Sequence, residues 1–199
     1  MKAFDVLCKD NFLDDEELKA VWGEIEQFYK EGLFQRDKIH HGSAEHNGEA
    51  LASRQAFFPI YYKNWRHIQA DKASQKLYKG ITEEFSKLGF ANHAVLLSNT
   101  HNLIYSLYVN GDDYKKHRDN SCATCLIWLC KEPQKFKGGD IYFEELDKKI
   151  EFKNNRMVMF PGWALHQVSP VVMDEDEEDL NGRVCITIPM WYQDFSSTP

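Results

Sequence analysis

The sequence predicts an α+β protein, mainly β, built as a double-sheet jelly roll with amino-terminal helices packed on one sheet. Three observations predict it. From Ala94 onward, short runs rich in β-branched and aromatic residues recur between turn signals. Apolar residues at helical spacing are confined to the amino half. The carboxyl-terminal run from Val184 to Trp191 has two unlike faces, as a strand between a core and a lined interior would.

Taken in order, Phe4 to Leu7 reads as a short strand. Asp14 is an expected helix N-cap, with Glu17 three residues on as in a capping box. Leu18, Val21, Trp22, Ile25, Phe28 and Tyr29 then form one apolar stripe, and Gly32 ends the helix. Leu33 to Ala56 is polar and irregular and reads as a solvated or substrate-covering loop; His40, His41 and His46 lie in it without the cysteine or carboxylate pattern of a zinc site. Phe57 to Tyr62 is aromatic enough for a strand or the lining of a mouth. Ala73 to Leu88 reads as one helix ending at Gly89. Eight strands are expected after it: Val95–Ser98, Leu103–Val109, Tyr114–Asp119, Ala123–Cys130, Ile141–Glu144, Ile150–Phe152, Arg156–Phe160 and Val184–Trp191. The whole chain, 1–199, is read as one domain, with 1–92 as helical support and loop and 93–199 as the core.

The 199 residues suffice for one full core. A formal net charge of −7 argues against nonspecific binding to nucleic acid or to an anionic membrane. No apolar run is long enough to span a bilayer, and the start, MKAFDVLCKD, lacks the apolar stretch of a signal peptide. Five cysteines without framework spacing are expected as free thiols in a reducing cytoplasm, and Cys122-x-x-Cys125 as structural thiols rather than a redox pair. The acidic run Asp174 to Asp179 reads as a solvated loop near a pocket rim.

The chemistry centres on Tyr105 to Asp119. Asn110-Gly111 breaks an apolar run, and an extended Tyr114–Asp119 would turn His117 and Asp119 to one side and Arg118 to the other. A further histidine, His166, follows the run Met157–Phe160. Two imidazoles and one carboxylate form the facial set that holds non-haem Fe(II). In the last strand, Val184, Ile186, Ile188 and Met190 suit a core, which turns Arg183, Cys185 and Thr187 inward. An inward arginine is costly unless it meets an anion, and its planar fork suits a carboxylate. A keto-acid chelating the metal at one end and held by Arg183 and Thr187 at the other satisfies both observations.

These residues carry a family resemblance. The order Tyr108-x-x-Gly111-x-x-Tyr114-x-x-His117-x-Asp119-Asn120, Cys122-x-Thr124-Cys125-x-x-Trp128-Leu129, Phe136-x-Gly138-Gly139, Arg156-x-x-x-Phe160, His166-x-Val168-x-Pro170 and Arg183-x-x-Ile186-Thr187-x-x-x-Trp191-Tyr192 resembles the 2-oxoglutarate/Fe(II)-dependent dioxygenases. Within them it is most similar to the prolyl 4-hydroxylase-like branch, notably the hypoxia-factor prolyl hydroxylases. The resemblance covers Ile104 to Asp194. It implies a double-stranded β-helix, iron ligation by His117, Asp119 and His166, and a salt bridge from Arg183 to the distal carboxylate of 2-oxoglutarate. Thr187 and Tyr108 would add hydrogen bonds to the cosubstrate. Trp128 stands where relatives often have a tyrosine that holds the cosubstrate, and an acidic insertion separates His166 from Arg183.

The reaction so implied uses Fe(II), 2-oxoglutarate and O2, with ascorbate as reductant, and hydroxylates an unactivated C–H bond. The expected substrate is a prolyl residue in a peptide or protein, with Tyr114 and Trp191 as substrate contacts. A free amino acid, small metabolite or nucleobase is the alternative within enzymes. A silent jelly-roll module around a structural metal is the alternative of another class.

Overall fold

The computed structural model describes residues 3–36, 45–46, 48–61, 68–174 and 180–193. The chain opens with β1 (Leu7–Asp10) and α1 (Asp15–Lys30). Asp14 and Glu17 form the reciprocal box: Glu17 N donates to Asp14 Oδ1 at 2.9 Å, and Asp14 N to Glu17 Oε2 at 3.0 Å. Helix α1 ends at Lys30, and Gly32 takes the positive φ of 67° that releases the chain.

The expected loop from Leu33 to Ala56 is in part paired backbone. It holds β2 (Gln35–Arg36), β3 (Glu45–His46) and β4 (Glu49–Ala50) and runs into β5 (Gln55–Phe57), which joins the main sheet beside β7. His40 and His41 lie outside the described residues, as do Tyr62 and residues 175–179 of the acidic run. The single helix expected over Ala73–Leu88 is broken. Helix α2 (Gln69–Ser74) passes into a 3-10 turn, and α3 (Ile81–Ser86) restarts after Gly80, whose φ of 104° no α-helix accepts.

The strands that follow are β6 (Thr100–His101), β7 (Ile104–Tyr108), β8 (Tyr114–His117), β9 (Ala123–Leu129) and β10 (Phe136–Gly138). Then come β11 (Ile141–Phe143), β12 (Lys148–Ile150), β13 (Arg156–Phe160), β14 (His166–Val168), β15 (Val171–Met173) and β16 (Arg183–Trp191). Of Val95–Ser98, expected as a strand, Val95 to Leu97 belong instead to a 3-10 segment, Phe90–Leu97, which Ser98 caps; a short apolar run does not by itself separate the two. The Ile150–Phe152 expectation shifts to Lys148–Ile150, and the Phe4–Leu7 strand to Leu7–Asp10.

Two antiparallel sheets make the double-stranded β-helix. The larger runs β1-β13-β9-β16-β7-β5-β2, with β6 also on β16; the smaller runs β12-β11-β14-β8. The strand alternation divides the core. Tyr105, Leu107, Ile127, Met157, Val184, Ile186 and Ile188 face the helices and pack on Val21, Ile25, Leu77 and Phe85. Trp128, Val158, Phe160 and Cys185 face the smaller sheet and pack on Ile141, Phe143 and Val168. The α1 stripe seats where expected, with Phe28 edge-on to Tyr105 at 5.5 Å and against Phe57 at 4.8 Å. Phe57 is therefore core, not mouth. Among the described residues, no helix is long and apolar enough to cross a membrane, and all five cysteines are free thiols.

Candidate metal and cosubstrate site

Strand pairing builds the site. β8 and β14 are antiparallel neighbours, and His117 and His166 are direct cross-strand partners with ring centroids 4.2 Å apart. Strand β8 ends at His117, two residues short of Asp119. What holds Asp119 is a backbone bond outside the strand, its N–H to Gly162 O at 2.7 Å. The carboxylate still reaches the histidines: Oδ1 lies 3.4 Å from His117 Nε2 and Oδ2 3.9 Å from His166 Nε2. The ligand atoms of the three lie within 4.8 Å of one another, and among the described residues no other group of His, Cys, Asp and Glu has this arrangement.

Each of the three side chains is oriented by a second contact. His117 Nδ1 faces Lys115 O at 2.7 Å, and His166 Nδ1 faces Ala164 O at 2.9 Å. A carbonyl only accepts, so both Nδ1 atoms carry the proton and both Nε2 lone pairs turn to the centre. Thr124 Oγ1 donates to Asp119 Oδ2 at 2.6 Å. Tyr114 stacks on His117 at 3.6 Å, and Phe160 lies 4.6 Å from the His166 ring. Burial pushes His166 down to about 4, so it is neutral near pH 7, as a ligand must be. For Asp119, burial raises the carboxyl. The neighbouring His117 and His166 rings and the hydrogen bond from the Thr124 hydroxyl outweigh that and hold it below its usual range.

The triad opens on a cavity of about 230 Å³ whose wall also includes Tyr108, Tyr114, Arg183, Thr187 and Trp191. Arg183 is 1 % exposed, and none of its three guanidinium nitrogens has a hydrogen-bond partner. Its guanidinium carbon lies 4.9 Å from the Tyr108 ring, 5.2 Å from Trp128 and 5.8 Å from Phe152. Gly139, at φ 70°, makes room for it: a Cβ there would sit 2.5 Å from Arg183 Cδ. Trp128 is fully buried behind Arg183, off the cavity wall, with an unpartnered Nε1. Trp191 Nε1 donates to Asn120 O, which fixes its ring at the wall. The donor set fits a divalent metal, and the orphaned guanidinium fits the far carboxylate of a dicarboxylic keto-acid.

One wall residue escaped sequence reasoning. Arg54, 8 % exposed, lines the same cavity and donates from Nη1 to the Tyr108 hydroxyl at 3.2 Å. It sits in a polar stretch with no periodic signal; only its place just before β5, which pairs with β7, carries it inward.

Residues 103–193 match the family described as the 2OG-Fe(II) oxygenase superfamily. The match lies in the carboxyl half of the chain and takes in His117, Asp119, His166 and Arg183. That family supports dioxygenase chemistry and implies Fe(II), 2-oxoglutarate and O2. No curated protein matches the chain by sequence. Among solved structures, a Pseudomonas putida prolyl-4-hydroxylase is similar with a TM-score of 0.67 at 14% identity, over 96% of this chain and 94% of that one. A Trichoplax adhaerens prolyl hydroxylase in complex with a hypoxia inducible factor oxygen degradation domain peptide gives 0.63 at 14%, over 94% and 83%. A viral collagen prolyl hydroxylase from Paramecium Bursaria Chlorella virus-1, in a 2OG complex, gives 0.57 at 17%, over 93% and 94%. At these identities the likeness is one of fold. The chain shares the overall fold of these prolyl hydroxylases.

Proposed function

We propose that the protein hydroxylates an unactivated C–H bond of a prolyl residue in a peptide or protein, using Fe(II) and 2-oxoglutarate. The observation that carries the dioxygenase reading is one cavity walled by both the His117–Asp119–His166 cluster and the unpartnered Arg183 guanidinium. When bound, metal and cosubstrate supply O2 activation: 2-oxoglutarate gives succinate and CO2, and one oxygen atom enters the substrate C–H bond.

The chain's residues divide the remaining work. His117 and His166 offer Nε2, and Asp119 its carboxylate, to the metal. Arg183 pairs the distal carboxylate of the cosubstrate. Thr187 and Tyr108 donate hydroxyl hydrogen bonds, and Trp128 backs the guanidinium. Tyr114 and Trp191 bound the space left for substrate, beside Phe58 and Pro189. Rings of this kind hold a pyrrolidine by its apolar faces, and the fold shared with prolyl hydroxylases supports that substrate class. Residues 1–92 serve as the support of one working unit, 1–199, in a reducing cytoplasm with ascorbate as reductant. A silent metal-holding module would have no use for a second anion pocket at Arg183.

The test incubates the purified protein with Fe(II), 2-oxoglutarate, ascorbate and proline-containing peptides. Succinate release together with a gain of one oxygen on proline is expected. Succinate release stimulated only by free amino acids or nucleobases would leave the dioxygenase and remove the prolyl substrate.

A further inference from the structure

We infer that Arg54 is a substrate-anchoring residue and that the substrate brings a carboxylate to it; this rests on the dioxygenase reading above. Arg54 is more than nine-tenths buried, yet among the described residues it meets no carboxylate. Its contacts are the Tyr108 hydroxyl and two ring faces, Tyr114 at 4.9 Å and Tyr108 at 6.0 Å, and its Nε has no hydrogen-bond partner. A buried guanidinium held only by a phenol and π faces is under-compensated.

The charges on the cavity wall identify what is missing. Among the described lining residues, the charged groups are Arg54, Arg183 and Asp119, beside two imidazoles that are neutral as metal ligands. A divalent metal and a dianionic cosubstrate cancel one another. Asp119 balances one guanidinium, and one positive charge remains. Arg183 faces the cosubstrate carboxylate, so the remaining charge is that of Arg54. A monoanionic substrate neutralises the site, and a carboxylate matches the guanidinium fork.

Arg54 is also held rigidly, as an anchor must be. Its neighbour Ser53 donates from Oγ to Asp112 at 2.8 Å and from N to Asp113 O at 2.9 Å. Asp112, 2 % exposed, takes Arg36 bidentately at 2.6 and 3.1 Å. Ala52 bridges to Tyr114, and that ring stacks on the metal-facing His117. The guanidinium is thereby fixed one aromatic layer from the metal cluster, within reach of a substrate seated there.

The experiment uses the full chain loaded with Zn(II) and N-oxalylglycine, which hold the site without turnover, and reads ligand binding by calorimetry. The probes are matched pairs differing only in acid against amide. They are L-proline and prolinamide, and prolyl peptides with Asp or Asn beside the proline or with a free or amidated terminus. At least one acid is expected to bind about tenfold or more tighter than its amide. Arg54→Gln should reduce that ratio to near one, and Arg54→Lys should keep part of it. Arg183→Gln should leave the ratio in place while weakening N-oxalylglycine. Equal affinity of acid and amide in every pair overturns the inference, as does a ratio unchanged in Arg54→Gln, with circular dichroism showing each variant folded. Failure of N-oxalylglycine itself to bind the wild type would instead strike at the dioxygenase reading.

Discussion

The two faces of the larger sheet bury polar groups in opposite ways. Under the helices, His101 Nε2 lies 2.9 Å from both Asp71 Oδ1 and Ser74 Oγ, and its Nδ1 lies 3.2 Å from the Tyr78 hydroxyl. Tyr105 donates to Glu24 on the same side, and burial with that carboxylate beside it holds the phenol well above its usual range. On the cavity face, Arg183, Trp128 and Arg54 are also buried, and all three Arg183 guanidinium nitrogens, Trp128 Nε1 and Arg54 Nε lack partners. A buried donor without an acceptor costs roughly 1–3 kcal/mol, more when charged. Among the described residues the outer network closes on the chain's own groups, whereas these inner donors find no acceptor.

The largest break in that contrast comes at the His117–Asp119–His166 cluster. His166→Ala should abolish turnover and weaken Fe(II) or Co(II) binding by more than the roughly 10–100-fold typical of losing a mere supporting partner. Equilibrium dialysis checks it, and unchanged metal affinity would dissolve the triad as drawn. Next in size is Arg183→Gln. The 2-oxoglutarate affinity should fall by about 2–5 kcal/mol, roughly thirtyfold to several thousandfold, with metal affinity retained. A normal cosubstrate affinity in that variant would move the anion pocket elsewhere.

Two smaller effects sharpen the other side. His101→Ala leaves Asp71 and Ser74 with a lost partner and should lower unfolding free energy by about 1–3 kcal/mol, without shifting 2-oxoglutarate affinity. A urea melt and a binding titration on the same variant separate the two outcomes. Smallest is Asp10, which ties β1 to β13 through Arg156 at 2.6 and 3.1 Å and Lys153 at 2.6 Å. The hydrogen bonds from Arg156 and Lys153 hold its carboxyl well below the ordinary range. Its contribution is thus present above the unfolded carboxyl pKa, near 4, and is lost as pH falls below it. At 35 % side-chain exposure it amounts to less than about 1 kcal/mol. Asp10→Asn should flatten that part of the acid limb in a pH series of melts and change little at pH 7.

Much of this contrast is legible in β16 alone. Alternation assigns Val184, Ile186 and Ile188 to the core and Arg183, Cys185 and Thr187 to the interior, and the structure places both sets accordingly. The capping box at Asp14 and the turn at Gly32 are equally local, since each depends on residues a few positions apart. Strand edges were less legible. β8 stops at His117, and Asp119 arrives through the Gly162 carbonyl, a partner 43 positions away that no period announces. The Phe90–Leu97 segment shows the same limit, because a brief apolar run suits a 3-10 turn as well as a strand.

By itself the sequence determined which side chains of β16 share a face, and hence the inward arginine, and the class of fold, because period and capping act over a few residues. Tertiary structure alone decided which faces meet. The register that sets His117 against His166, the Gly139 gap that admits Arg183, and the pairing of β5 on β7 that brings the preceding Arg54 to the cavity are contacts between distant segments. Their energies depend on packing across the sheet, which no local pattern encodes.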